Sequence, residues 1–211
     1  MEIAGLLAAQ FAEQRNCRGC FVVAIDGPGC CGKSSLADEI LGYADDAAQL
    51  ATDDFHMPRG STPDSQGPLP YRRWAEFVQM VQRLVAGHEA TFRPIDWKCR
   101  RLSAEVSVRP APLLVIEGIG ALHPDLAALV DYRIWVDGRA DTRMERVRIR
   151  DGDSEVPNWH KYVAFEQRYL ETFRPWSSAD LWVFGADLAG NASLSFSCRI
   201  DALGKALVAE P

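Results

Sequence analysis

The chain is 211 residues long, 47% apolar and 25% charged, which fits one globular domain with a small lid (residues 1–211 as one unit) and not two full domains. Acidic residues outnumber basic ones 29 to 23, so neither a nucleic-acid-binding surface nor attraction to an anionic membrane is expected. No apolar run reaches the roughly 18 residues of a membrane helix, and Met1-Glu2-Ile3-Ala4 lacks the basic start of a signal peptide, so a cytoplasmic location is expected.

Residues 2–15 predict a helix, with Ile3, Leu6, Leu7 and Phe11 at helical spacing. Cys17 and Cys20 follow as a Cys-x-x-Cys pair; it reads as a redox pair or, more simply, as small side chains in a turn. Cys30, Cys31, Cys99 and Cys198 supply no second pair for zinc, and cysteines in a cytoplasmic chain are expected to stay reduced. The continuous apolar run Phe21–Ile25 predicts a strand buried on both faces. A helix is expected from Lys33 to Leu41, then a strand over Ala47–Thr52 that ends in Asp53-Asp54. Residues 57–70 are crowded with Pro, Gly and Ser and form a long connection, either a substrate-side loop or a plain surface loop. A helix is predicted over Tyr71–Ala86 with a core-facing stripe of Trp74, Phe77, Val78, Val81, Leu84 and Val85. Further strands are expected at Leu113–Ile116, Tyr132–Val136 and Leu181–Phe184, with helices at Thr142–Arg150 and Trp159–Phe173 and a last one near Ile200–Val208. Strands alternating with helices imply an α/β fold with a mostly parallel sheet.

Gly27-Pro28-Gly29-Cys30-Cys31-Gly32-Lys33-Ser34, followed by Ser35, matches G-x-x-x-x-G-K-[ST] and lies between a predicted strand and a predicted helix, where that pattern cradles a polyphosphate. Glycines let the backbone turn its N–H groups inward, and the following helix adds the positive end of its dipole. Lys33 can reach the terminal phosphates, and the Ser34 hydroxyl can join the shell of Mg²⁺. Glu117 ends another buried strand, at the sheet edge where ligands of this fold class collect, and can hold the metal or a metal-bound water. It can equally be a hydrogen-bonded acid in a turn.

Thr52-Asp53-Asp54-Phe55-His56 places acids where a phosphorylated acceptor would require arginines. A carboxylate suits a neutral hydroxyl, whose proton it can accept. Asp53 is the expected base, with Asp54 and His56 near the acceptor; a solvated pair capping a loop is the plainer alternative. Arg143, Arg146 and Arg150 recur at i, i+3 and i+7, so one helical face carries three guanidiniums. Residues 139–156 then read as a lid that closes over the transferring phosphoryl, or as a solvated basic face.

Together these motifs resemble the uridine kinase-like branch of the P-loop kinases, which includes phosphoribulokinase, pantothenate kinase and nicotinamide riboside kinase. The resemblance covers about residues 21–184 and rests on the phosphate cradle, Asp53-Asp54-Phe55, Ile116-Glu117-Gly118-Ile119 and the arginine-rich stretch Asp141–Asp151. It implies the P-loop NTPase fold with a five-stranded parallel sheet, ATP (sometimes GTP) with Mg²⁺, and Asp53 as catalytic base. In Pro94-Ile95-Asp96-Trp97-Lys98-Cys99-Arg100-Arg101, however, Ile95 holds the place of the tyrosine of uridine kinases and Arg100 that of their histidine. The resemblance therefore does not carry uridine over as acceptor. Asp96, Trp97 and Arg100 are candidate substrate contacts, since Trp97 can stack on a planar group and Arg100 can bind an anionic one; each can equally be structural.

The expected activity is transfer of the γ-phosphate of ATP to a hydroxyl of a small nucleoside-like metabolite. A nucleoside monophosphate kinase is the alternative, and a nucleotide-dependent switch without an acceptor a further one. No Asn-Lys-x-Asp string supports a guanine-specific switch, and Asp64-Ser65-Gln66-Gly67 sits in the Pro-rich loop rather than after a strand. No heptad repeat marks an oligomer interface.

Overall fold

In the computed structural model, which describes residues 3–15, 19–63, 69–184 and 197–198, the chain runs through helix α1 (Ile3–Arg15), strand β1 (Phe21–Asp26), α2 (Lys33–Gly42), β2 (Ala47–Ala51), α3 (Trp74–Val85), β3 (Ala90–Phe92), β4 (Ile95–Asp96), β5 (Arg101–Leu102), β6 (Val106–Val108), β7 (Leu113–Glu117), β8 (Tyr132–Asp137), α4 (Ala140–Asp151), α5 (Val156–Phe173), β9 (Leu181–Phe184) and β10 (Ser197–Cys198). The main sheet has the order β10-β9-β8-β1-β7-β2. Its five long strands are parallel, as expected. The two-residue β10, which the sequence pattern does not announce, adds antiparallel to β9 at one edge.

The apolar run of β1 is continuous because each face of the sheet is covered. Val22 and Ala24 point into one core with Leu114, Ile116, Phe77, Leu84 and Tyr169. Phe21, Val23 and Ile25 point into the other, with Leu7 and Phe11 of α1 and Leu36 and Ile40 of α2. Each such buried aliphatic side chain contributes about 1.5–3 kcal/mol, and a polar substitution at Val23 would find no solvent side to turn to.

Register places the site. Ile25 of β1 and Ala51 of β2 both pair with Glu117 at the end of β7. The loop after Asp26, the 3₁₀ turn Thr52–Phe55 and Glu117 therefore leave the sheet side by side, at the carboxyl edge where ligands of open α/β sheets bind.

The structure corrects several boundaries. Helix α3 begins at Trp74 rather than Tyr71, because the preceding residues are tied to the turn after β2: Met57 N–H donates to Tyr71 O at 2.8 Å and Arg73 N–H to Phe55 O at 2.7 Å. Helices α4 and α5 start two and three residues earlier than their apolar spacing suggests. Residues 90–108, unassigned from sequence, form two small antiparallel pairs, β3 with β6 and β4 with β5; strands of two or three residues are too short to show a period. The expected helix at 200–208, Cys17 and the stretch 64–67 lie outside the described residues.

Candidate active site

Asp26 ends β1 fully buried, and its carboxylate holds the start of the loop together. It accepts from the N–H groups of Gly27 (2.7 Å), Gly120 (3.3 Å) and Leu122 (3.0 Å) and from the Tyr169 hydroxyl (2.7 Å). Burial pushes its carboxyl above the usual range, and these donors pull against that. Gly27 then turns with φ +153°, and a Cβ there would stand 2.0 Å from Val136 O. Only glycine lets the loop pass this close to β8.

Lys33, the first residue of α2, is buried, and its Nζ donates to Pro28 O at 2.8 Å across the loop. Burial works against its charge, but Cys31, Glu117, Asp53 and Asp26 more than offset it, and the ammonium is held above its ordinary range. Cys31 is buried and its thiol is pushed up by that burial; Cys30 takes the left-handed conformation at φ 62°. Ser34 Oγ donates to Glu117 Oε1 at 3.2 Å. Burial pushes the Glu117 carboxyl up to about 7, although Lys33 and Ser34 pull it down.

These two oxygens, a hydroxyl and a carboxylate, are hard donors of the kind Mg²⁺ takes. Among the described residues no group of three His, Cys, Asp or Glu side chains makes a metal site of its own. Mg²⁺ is commonly held by one or two protein oxygens and completed by phosphates and water. Ser35 follows Ser34 on the same exposed turn.

Across the sheet edge, Asp53 is 58% exposed and forms an ion pair with Arg72, a partner the sequence did not reveal. Desolvation pushes its carboxyl up, but Arg72, Lys33, His56 and Arg150 outweigh that and hold it below the usual range. Asp54 is pushed the other way by burial and by Asp53; its backbone carbonyl accepts from Arg73. His56 lies edge-on to Trp97 at 5.1 Å and parallel to Tyr71 at 6.3 Å. Its Nδ1 lies 2.9 Å from Met57 O, and a carbonyl only accepts, so Nδ1 carries the proton. Burial holds the ring below its ordinary range and thus neutral. Nε2 is then a lone-pair acceptor, buried and without a partner among the described residues.

Trp97 is 41% exposed, and the Arg100 guanidinium lies over its ring at 4.6 Å while donating to Tyr162 Oη at 3.0 Å. Asp96 caps its own turn, accepting from Lys98 N–H at 2.8 Å and Cys99 N–H at 3.4 Å. Those backbone donors hold its carboxyl below the usual range.

Helix α4 lays its arginine face on the loop. Arg143 Nε donates to Gly29 O at 2.7 Å and Arg146 Nη1 to Cys30 O at 3.0 Å. Arg150, one turn further, pairs with Asp151 instead. Glu166 of α5 completes the arrangement by accepting from Gly29 N–H and from Arg143. The sequence reading passed over Glu166, yet a signal existed. Trp159, Tyr162, Tyr169 and Phe173 recur at helical spacing, and Glu166 is the one acid in that aromatic stripe.

No family profile matches the chain. It is 26% identical over 164 residues to uridine kinase of Clostridium botulinum (strain Okra / Type B1), covering 73% of this chain and 78% of that protein. It is 24% identical over 146 residues to Inorganic pyrophosphatase TTM2 of Arabidopsis thaliana, of which it spans only 22%. Among solved structures, a possible uridine kinase from Bacillus stearothermophilus superposes with a TM-score of 0.59 at 18% identity, covering 83% of this chain and 98% of that one. A proposed fructose transport system kinase from Silicibacter sp. TM1040 gives 0.55 at 22% identity, covering 85% and 95%. Among the described residues no helix is long and apolar enough to cross a membrane. With its parallel sheet, its phosphate loop and these neighbours, the chain has the P-loop kinase fold and resembles the uridine kinase-like members of it.

Proposed function

We propose that the chain is a cytoplasmic small-molecule kinase that transfers the γ-phosphoryl group of ATP to a hydroxyl of a nucleoside-like metabolite. The observation that carries this reading is the placement of an open, ionised Asp53 at the same sheet edge as Lys33, Ser34 and Glu117. Gly27, Gly29, Cys30, Cys31, Gly32, Lys33, Ser34 and Ser35 would hold the triphosphate, and Ser34 with Glu117 the Mg²⁺, which supplies charge neutralisation between phosphates when bound. Lys33 would exchange the Pro28 carbonyl for a phosphate oxygen. Arg143 and Arg146, already on the loop backbone, would face the charge that develops on the equatorial oxygens, with Arg150 near enough for its charge to act on Asp53.

Asp53 would accept a hydrogen bond from the acceptor hydroxyl. As the new O–P bond forms and the bond to the ADP oxygen breaks, the hydroxyl proton passes to Asp53. The lone pair on His56 Nε2 would take a second donor of the acceptor, Trp97 would stack on its planar part, and Asp54 and Asp96 would border it. Asp53→Asn tests this: nucleotide affinity should stay within about twofold while transfer falls about 10²–10⁴-fold, the range of general-base catalysis. Unchanged turnover would remove Asp53 from its role.

One observation favours a second reading, a nucleoside monophosphate kinase. Arg100 has no carboxylate partner among the described residues and lies stacked on Trp97, where a phosphate could reach it. A phosphorylated acceptor that saturates the enzyme where its dephosphorylated form does not would decide for it.

A further inference from the structure

We infer that Glu166 is a positioning residue for phosphoryl transfer, aiming Arg143 across the phosphate loop; the inference rests on the kinase reading above. Glu166 is 5% exposed, and both its oxygens are used. Oε2 accepts from Gly29 N–H at 2.7 Å and Oε1 from Arg143 Nη2 at 2.5 Å, while Arg143 Nε donates to the carbonyl of the same Gly29 at 2.7 Å. One glycine of the loop is thus held on both sides, its N–H by the acid and its C=O by the arginine that the acid neutralises.

The consequence for Arg143 is geometric. Two of its three guanidinium nitrogens are fixed, and its plane is further bounded by the Trp159 ring at 5.9 Å. Nη1 alone has no partner among the described residues. A guanidinium held this way has lost its rotamer freedom before a phosphoryl group arrives, so its remaining donors act without reorganisation. Helix α5 is docked at a second point one turn on, where Tyr169 donates to Asp26 at 2.7 Å. The helix therefore bears on Asp26, which precedes the loop, and on Gly29 within it. A buried pair serving stability alone needs no such bridge between the loop backbone and the helix that carries Arg143 and Arg146.

The test compares Glu166→Gln, Arg143→Ala and the double variant, each checked for an intact fold by circular dichroism. Glu166→Asp, which keeps the charge and shortens its reach, stands in should the Gln variant not fold. With magnesium present, calorimetry measures the affinity for ADP alone and for ADP with aluminium fluoride, a mimic of the phosphoryl group in flight. Glu166→Gln should leave ADP affinity within about twofold but weaken the fluoride complex about tenfold or more, and lower kcat about 10–100-fold, the scale of a lost supporting contact. The double variant should weaken the fluoride complex by clearly less than the product of the single-variant losses, because Glu166 acts in large part through Arg143.

Equal weakening of both complexes, or single-variant losses that multiply in the double variant, would overturn the inference. So would an unaltered chain that binds the fluoride complex no better than ADP. Failure of the unaltered chain to phosphorylate any acceptor would instead remove the kinase reading, and the fluoride measurement would still decide on Glu166.

Discussion

A buried carboxylate with one hydroxyl donor burdens the fold when it is ionised, and Glu117 allows that burden to be measured. Its carboxyl is pushed from an ordinary 4.5 to about 7, mainly by burial. The folded state therefore binds this proton more tightly than the unfolded chain does. Stability is greatest below the unfolded value, declines as pH rises between 4.5 and about 7, and is constant above. At 1.36 kcal/mol per pH unit, the ionised group costs the folded state about 3 kcal/mol. Glu117→Gln removes the charge and keeps the shape, so it should be more stable than the unaltered chain by up to about 3 kcal/mol at pH 8, and by little at pH 4.5. Urea denaturation with EDTA and without nucleotide, at a series of pH values, gives the difference directly, and other titrating groups cancel in it. The same variant should lose the magnesium dependence of nucleotide binding. A stability difference that does not change with pH would refute the reasoning.

Arg72→Ala removes the cation nearest Asp53, so the carboxyl of Asp53 should rise toward its ordinary value. Because the base acts when ionised, the acid limb of the kcat/KM profile should move to higher pH, and an unmoved limb would show that Asp53 does not set it. Tyr169→Phe deletes the hydroxyl that donates to the buried Asp26 and should lower stability by about 1.5–3 kcal/mol in urea, the range for a hydrogen bond to a charged group. Gly27→Ala puts a Cβ 2.0 Å from Val136 O at φ +153°; nucleotide binding should be lost in calorimetry and stability should fall by at least about 2 kcal/mol.

What could be read from the sequence was whatever repeats locally. The run Phe21–Ile25 announces a doubly covered strand, and the glycines, Lys33 and Ser34 announce a phosphate cradle, because each signal lies within a few residues. The arginine face of α4 was legible for the same reason. Pairings were not. Arg72 stands 19 residues from Asp53, and Glu166 stands 137 residues from Gly29; nothing local distinguishes Arg72 from a solvated side chain, and the aromatic stripe around Glu166 marks a covered acid without naming its partners. The apolar spacing of α3 continues back over Tyr71–Arg73 and predicts helix there, whereas backbone bonds to Phe55 and Met57 tie that segment to the turn after β2. Arg150 shares the spacing of Arg143 and Arg146, yet its neighbour Asp151 takes its guanidinium, a competition that periodicity does not register.

Three acids close three adjacent strands or follow them directly, and their surroundings divide the chemistry among them. Asp26 is buried under four donors and has no lone pair directed to a ligand beyond them. Glu117 is buried with one hydroxyl donor and is raised, so on the kinase reading it is the acid that would take the cation. Asp53 alone is open and held ionised by cations. A carboxyl held below its usual range is a weak base, which would argue against Asp53 if the proton had to leave early. Phosphoryl transfer passes through a loose transition state in which the attacking oxygen has bonded little, so its hydroxyl becomes acidic only late. On the kinase reading, Asp53 therefore serves first as a fixed acceptor that orients the hydroxyl, and receives the proton once the new bond has made it acidic. Strong basicity is not needed for that order of events, and the neighbouring Arg72 is compatible with it.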